Sequence, residues 1–248
     1  CVCVCVSCMI VCRAGAVADA FGQAASRLKE LLPKKTSRDE AVMELIRELV
    51  KESKNVRFEG NNYSDEWKKE AQKRGLPMLP ATPDALSVMH NEESVAFLVE
   101  QKVFTAAEIE SRLHVNVERY VKSLLIELNA LSELTLSHVI PAIELQISRS
   151  YTANKSCTTG SVQMVHGERL HKLEATLADT LKGLNHLNQI VEKVDALDSE
   201  EKKMQAIYKE AIPAAQQLRK AADTAETLVA DDLWPLPKYR EMLFANLT

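Results

Sequence analysis

Apolar residues recur along most of this chain at intervals of three and four, the spacing that lines one face of an α-helix. Beyond Thr105 the series Leu113, Val117, Tyr120, Leu124, Leu128 and Leu131 keeps step. Thr105 and Glu108 form a capping box that opens this segment. Residues 106 to about 153 would extend on the order of 70 Å as a helix, bent near Pro141, which lacks an amide donor and crowds the turn before it. A second segment, about 161 to 195, carries Leu170, Leu173, Leu177, Leu181, Leu184, Leu187, Val191 and Val194. A third starts at Asp198, with Glu201 completing another capping box, and runs through Met204, Ile207, Ala211, Leu218, Ala221, Ala225 and Leu228 despite Pro213. A helix with one apolar stripe must bury it, so three such segments predict an antiparallel bundle of three long helices.

The proximal part has shorter periods and more punctuation. Ser37 and Glu40 form a capping box, and Val42, Leu45, Ile46, Leu49 and Val50 share a face, which predicts an amphipathic helix over 38–54. Val56 and Phe58 alternate with polar neighbours and suggest a very short strand. Gly60, Asn61 and Asn62 tolerate left-handed backbone angles, so a turn is expected there. Ser64 then offers its hydroxyl to a helix starting at Asp65, with Asp65 and Glu66 at the positive end of the helix dipole. Gly75 sits where a C-terminal glycine belongs, and Pro77 prevents continuation. Pro77, Pro80 and Pro83 favour an extended connector until Thr82 caps the next helix, with Pro83 in its first turn. The segment 152–161 is the most loop-like of the distal half. The short Ile-Pro-Ala matches at 140–142 and 212–214 do not make a repeat.

Composition agrees with the periodicity. The 248 residues are 46% hydrophobic and 27% charged, with seven glycines and 5% aromatics. This favours a globular all-α chain, with short helices preceding the bundle. A net charge of -4 gives no footprint for nucleic acid. No apolar run approaches the roughly 20 residues of a membrane span. The expected layout is 1–14 as a non-native segment, 15–104 as short helices and loops, 105–230 as the bundle and 231–248 as a C-terminal strap.

Cys1, Cys3, Cys5, Cys8 and Cys12 crowd the first dozen residues, and Cys157 stands apart. Such a run could hold a soft metal through thiolates, but no second ligand cluster follows at a structural zinc spacing. Alternating Cys and Val is also what a translated TG dinucleotide repeat encodes, so 1–14 are read as translated non-coding sequence. His90, His114, His138, His166, His171 and His186 form no constellation: His166 and His171 are five apart, unlike the four-residue spacing with which two imidazoles grip zinc. The acidic pairs Asp65-Glu66, Glu92-Glu93, Glu200-Glu201 and Asp231-Asp232 mostly follow cap residues, where dipole stabilisation accounts for them. There is no phosphate-cradling glycine loop and no nucleophile elbow. No catalytic, cofactor-binding or metal-binding residue is therefore assigned. Trp234, Pro235, Leu236, Pro237 and Tyr239 form either a docking segment or a strap on the chain's own bundle.

One block resembles a family. Val56-Arg57-Phe58-Glu59-Gly60-Asn61-Asn62-Tyr63-Ser64-Asp65-Glu66-Trp67, followed by Lys73-Arg74-Gly75-Leu76-Pro77 and Thr82-Pro83-Asp84-Ala85-Leu86, is similar to the C-terminal half of type III glutamine synthetases. There a Phe-Asn-Gly-Asn-Gly-Tyr-Ser turn leads into a Trp-bearing helix, an Arg-Gly-Leu-Pro stop and a Thr-Pro-acid-Ala-Leu restart. Ile212-Pro213-Ala214, Leu218-Arg219, Asp223 and Leu233-Trp234-Pro235-Leu236-Pro237-Lys238-Tyr239 resemble the closing pattern of that family, so the similarity covers about 17–244. Asn62 and Met78 depart from it. The resemblance implies a parent enzyme of glutamine biosynthesis and nitrogen metabolism, an ATP-dependent glutamate-ammonia ligase that uses ATP and Mg and works as a large oligomer. Its metal-holding carboxylates and phosphate-holding arginines lie upstream of this block. The expectation is a C-terminal fragment of that enzyme, inactive alone, cytoplasmic, and serving a structural or homo-oligomerisation role. The alternative is a stand-alone helical interaction module without enzymatic activity.

Overall fold

The computed structural model describes residues 17, 19–34, 37–61, 64–76, 78–79 and 81–244. Among these residues every regular element is helical and no strand occurs. The Cys-Val run, Asn62, Tyr63, Pro77 and Pro80 lie outside the described residues. The chain divides into two compact units, the first ending at Arg119 and the second beginning at Tyr120.

The first unit contains α1 (residues 19–31), α2 (Arg38–Glu52), α3 (Asp65–Lys73), α4 (Thr82–Ser87), α5 (Glu92–Glu100) and the start of α6 (Ala106–Leu134). Side-chain caps set four of these starts. The amide of Glu40 donates to Ser37 Oγ at 3.2 Å, that of Trp67 to Ser64 Oγ at 3.2 Å, and that of Glu93 to Asn91 Oδ1 at 3.0 Å. At α6 the capping box is reciprocal: the Glu108 amide donates to Thr105 Oγ1, while the Thr105 amide and hydroxyl donate to Glu108 Oε2 at 2.8 and 2.9 Å.

Two helices end in the same way. At α3, Leu76 donates to the Ala71 carbonyl and Gly75 to that of Gln72, with Gly75 at φ 74°. At α5, Val103 donates to Leu98 and Lys102 to Val99, with Lys102 at φ 55°. Both are Schellman caps, and the second places a side chain where glycine is favoured.

Several local expectations are corrected. Val56 and Phe58 form no strand; Val56 is instead the exposed residue that closes a 3-10 turn, Ser53–Asn55. Gly60 does not take a left-handed angle. Thr82 lies inside α4 and Ala81 is its N-cap, because Pro83 suits the first turn without any side-chain cap. In α2 the covered face runs through Ala41 and Leu45, leaving Ile46 and Val50 exposed, so the apolar stripe is wider than what packs on it.

The second unit continues α6 from Tyr120 and adds α7 (Ile140–Lys155), α8 (Gly160–Asp195), α9 (Glu200–Ala206), α10 (Ile212–Leu228) and α11 (Tyr239–Phe244). A π turn at Thr135–Val139 joins α6 to α7, and another at Ile207–Ala211 joins α9 to α10. The amide of Ile140 reaches the Thr135 carbonyl, and that of Ile212 reaches Ile207, each five residues back. Pro141 and Pro213 follow immediately. A proline cannot donate and crowds the carbonyl four residues earlier; widening the turn before it relieves the crowding while the helix continues. The two Ile-Pro-Ala matches therefore share a backbone device.

Helix α8 packs against both α7 and α10. It runs antiparallel to α10, since Arg169 reaches the Leu228 carbonyl at 3.1 Å near one end while Gly183 lies against Leu218 further along. Its buried face comprises Leu173, Thr176, Thr180, Leu184, Leu187, Ile190, Val191 and Val194. Leu181 stands off this face, 40% exposed, and Thr180 takes the inward place by donating its hydroxyl to the Thr176 carbonyl at 2.8 Å. At α9 the cap is Ser199, whose hydroxyl accepts from Lys202, whereas Asp198 pairs with Lys202 Nζ at 2.9 Å. The expected start moves by one residue because both side chains can cap and only the second does.

Val139, Ala142, Ile143, Ala222, Ala225, Val229 and Trp234 form one buried cluster, with Ile147, Leu177, Leu233 and Leu236 packed against it. Large side chains buried to this degree contribute about 1.5–3 kcal/mol each relative to exposure. The segment after α10 is thus folded back onto α7 and α10.

Candidate functional site

The block at 55–76 builds a compact aromatic and guanidinium node. Phe58 stacks on Trp67 with ring centroids 4.3 Å apart and planes at 29°. The Arg74 guanidinium lies 5.7 Å from the Trp67 ring centroid. Its Nε donates to Glu70 Oε1 at 2.8 Å, and its Nη1 donates to the carbonyls of Arg57 at 2.8 Å and Asn55 at 3.3 Å. Arg57 in turn donates to the Val50 carbonyl at 2.6 Å. Helix α3 supplies Trp67 and Glu70, and its C-cap residue Arg74 falls on the same face, because positions three and four apart are neighbours there. The hydrogen bond from Arg74, with a smaller effect of its charge, holds the Glu70 carboxyl below its ordinary value.

This geometry fixes the course of the chain between α2 and α3. A Cβ at Gly60 would lie 2.8 Å from the Phe58 ring, so glycine is needed there for close approach and not for a left-handed angle. The arginine's Nε and Nη1 donors are taken up by a carboxylate and two main-chain carbonyls. The node is suited to holding a loop in place.

A second feature of this unit is an open cleft of about 660 Å³ beside α5 and the start of α6. Met89, Val95, Val99, Ile109 and Leu113 line it, with Glu92, Glu100 and Glu110 among its polar residues. It can receive an apolar group; the sequence offered no signal for it, because its walls come from two helices with separate periods.

In the second unit the chain end is fastened by polar contacts around Trp234. Gln146, 4% exposed, accepts the Ala230 amide at 2.9 Å and donates to Ser150 Oγ at 3.0 Å. Arg149 meets both carboxylate oxygens of Asp232 at 2.8 and 3.0 Å. Lys238 reaches Asp231 at 2.6 Å and the Glu226 carbonyl at 3.3 Å. Asp231 and Asp232 are thus strap partners, whereas the other three acidic pairs follow the caps Ser64, Asn91 and Ser199.

The histidines are scattered. His90 is on the cleft, His186 lines a groove beside α8, His166 is half-buried, and His114, His138 and His171 are exposed. Among the described residues no three His, Cys, Asp or Glu side chains gather to hold a metal ion. Cys157 donates its thiol to the Ala153 carbonyl at 3.2 Å. No helix among the described residues is long and apolar enough to cross a membrane.

Comparison with known proteins assigns the fold a family. The glutamine synthetase C-terminal domain matches residues 41–155, which include the node, the cleft and the first π turn. A glutamine synthetase of Bacteroides fragilis (strain YCH46) is 29% identical over 98% of this chain and 34% of its own length. One of Butyrivibrio fibrisolvens is 33% identical over 83% of the chain, and a type-3 glutamine synthetase of Dictyostelium discoideum is 30% identical over 85%. The chain belongs to the glutamine synthetase family, in its C-terminal part. It spans about a third of the length of these glutamine synthetases, 30% in the latter two.

Proposed function

We propose that this chain is the C-terminal part of a type III glutamine synthetase and supports the catalytic portion or holds subunits together, without performing the reaction itself. The whole enzyme's activity would be the ATP-dependent joining of ammonia to glutamate. That chemistry needs preorganised cations and metal-held phosphoryl groups. The observation that carries the reading is the use made of the polar side chains. Arg74, Arg149, Gln146 and Lys238 are committed to carboxylates and carbonyls that fasten loops. A supporting role is also favoured by Ile126, Leu136, Leu145 and Tyr151, each more than half exposed along the run from α6 to α7. Large apolar groups left in water on a long helix suit a surface that meets another part of a larger assembly.

The test is an assay of the purified 248-residue chain with ATP, magnesium, glutamate and ammonia, following phosphate release and glutamine formation. No turnover is expected; measurable turnover refutes the reading. Adding the catalytic portion of a type III enzyme in trans should yield a complex with this chain, and failure to associate would refute the supporting role.

A further inference from the structure

A groove runs between α8 and α10 in the second unit, separate from the node and from the strap. Lys182, Gly183 and His186 of α8 face Gln217, Lys220 and Ala221 of α10 across a hollow of about 550 Å³. Past His186 and Gln217 it continues into a second hollow of about 270 Å³ with Lys193 on one wall and Lys209 and Pro213 on the other. The groove thus has a lysine on each wall at both ends: Lys182 with Lys220, then Lys193 with Lys209. Among the described residues none of these four lysines forms an ion pair.

The floor is built from small residues. Gly183 lets α10 come close, since a Cβ there would sit 3.3 Å from Leu218 Cδ1, and the half-buried Ala221 leaves the space above it open. Lys182 and Lys193 are three helical turns apart, so they point the same way and are separated by roughly 16 Å along the axis. The second π turn carries Lys209 and Glu210 to the groove. Asp179 and Glu210 also line it. These two carboxylates interrupt the run of lysines, so negative charge placed at fixed intervals suits the groove better than the unbroken charge of a polyphosphate chain. A helix fits better: its small apolar stripe can lie on Gly183, Ala221 and the exposed Pro213, with carboxylates one face-repeat apart meeting the lysine pairs.

We propose that the groove between α8 and α10 docks an acidic amphipathic helix of a partner protein as a fourth helix of this bundle. This goes beyond the supporting role proposed above and does not depend on it.

The test uses the full chain and a fluorescent helical peptide of about 18 residues with an Ala and Leu stripe and two glutamates spaced by three turns. Fluorescence anisotropy should show binding that weakens with salt. Replacing the two glutamates with glutamine should weaken it by about tenfold or more. The double variant Lys182→Glu, Lys193→Glu, with circular dichroism and melting checked against the parent, should lose the peptide and accept a version with lysines in place of the glutamates. Ala221→Trp, which fills the floor, should abolish binding of both. No binding by the parent chain, equal binding of the glutamine peptide, or full competition by tripolyphosphate would each overturn the proposal.

Discussion

The amide of Ala230 donates to the side-chain oxygen of Gln146 at 2.9 Å, joining the end of α10 to the middle of α7 across 84 positions of sequence. The same side chain donates to Ser150, so one buried amide satisfies two groups at once. Replacing it with Met preserves volume but leaves the Ala230 N–H and the Ser150 hydroxyl without their partner. Gln146→Met is therefore expected to cost about 1–3 kcal/mol. Urea denaturation should show a lower midpoint with an unchanged slope; an unchanged midpoint would mean that water replaces the side chain freely.

Arg74 holds two main-chain carbonyls and a carboxylate from one planar fork. Lysine retains the charge but cannot reproduce that spread of donors. Arg74→Lys should cost about 1–2 kcal/mol, which the loss of one exposed ion pair would not. In a Trp234→Phe background the fluorescence of Trp67 reports the site directly, and its emission should shift as the loop loosens. An emission spectrum identical to the parent would show that Phe58 stacking alone fixes the loop.

Lys102 occupies the left-handed position of the cap that ends α5, the place that Gly75 fills after α3. A non-glycine residue there is strained by about 1–2 kcal/mol, partly offset by the extra freedom that glycine gives the unfolded chain. Lys102→Gly should raise stability by about 0.5–1 kcal/mol, and Gly75→Ala should lower it by a similar amount. Thermal melts of the two variants should move in opposite directions.

The pH dependence follows from groups shifted in both directions. Two hydrogen bonds from Thr105 hold the Glu108 carboxyl below its ordinary value, as hydrogen bonds from Lys68, Arg74 and Lys202 do for Asp65, Glu70 and Asp198. Their contributions are complete above the unfolded values of about 4 and are lost as pH falls through the lower native ones. Tyr120 moves the other way, pushed up to about 12 chiefly by burial and then by Tyr208. Its contribution is complete below about 10 and is lost as pH rises toward the native value. Tyr120→Phe should extend the alkaline limit of folding, and tyrosinate absorbance should show one phenol titrating only as the chain unfolds.

The helical architecture was legible because period and caps agree. Thr105 with Glu108, and Ser64 before Asp65, announced starts that the hydrogen bonds bear out. The all-helical character followed from the same agreement. The errors fell where two side chains competed for one role or where packing chose among equivalent faces. Asp198 and Ser199 can both cap, Leu181 and Thr180 lie side by side, and the stripe of α2 offers more apolar surface than its neighbours cover. The node was visible as a string of residues resembling a family, but not as geometry. Nothing in the spacing reveals that Gly60 serves the Phe58 ring or that Arg74 reaches back to Asn55 and Arg57. The α8 and α10 groove was invisible for a related reason, since its two walls are brought together only by the antiparallel pairing.

The two widened turns before Pro141 and Pro213 give the long rods of the second unit a built-in weak point. Where the ladder changes from five-residue to four-residue steps and a proline supplies no amide, fewer main-chain bonds resist opening than in the turns on either side. Packing offsets that loss, since Thr135, Val139, Ile207 and Ala211 are all buried and the core holds both places shut. Were that packing removed, the flanking halves would swing as separate levers, each still helical.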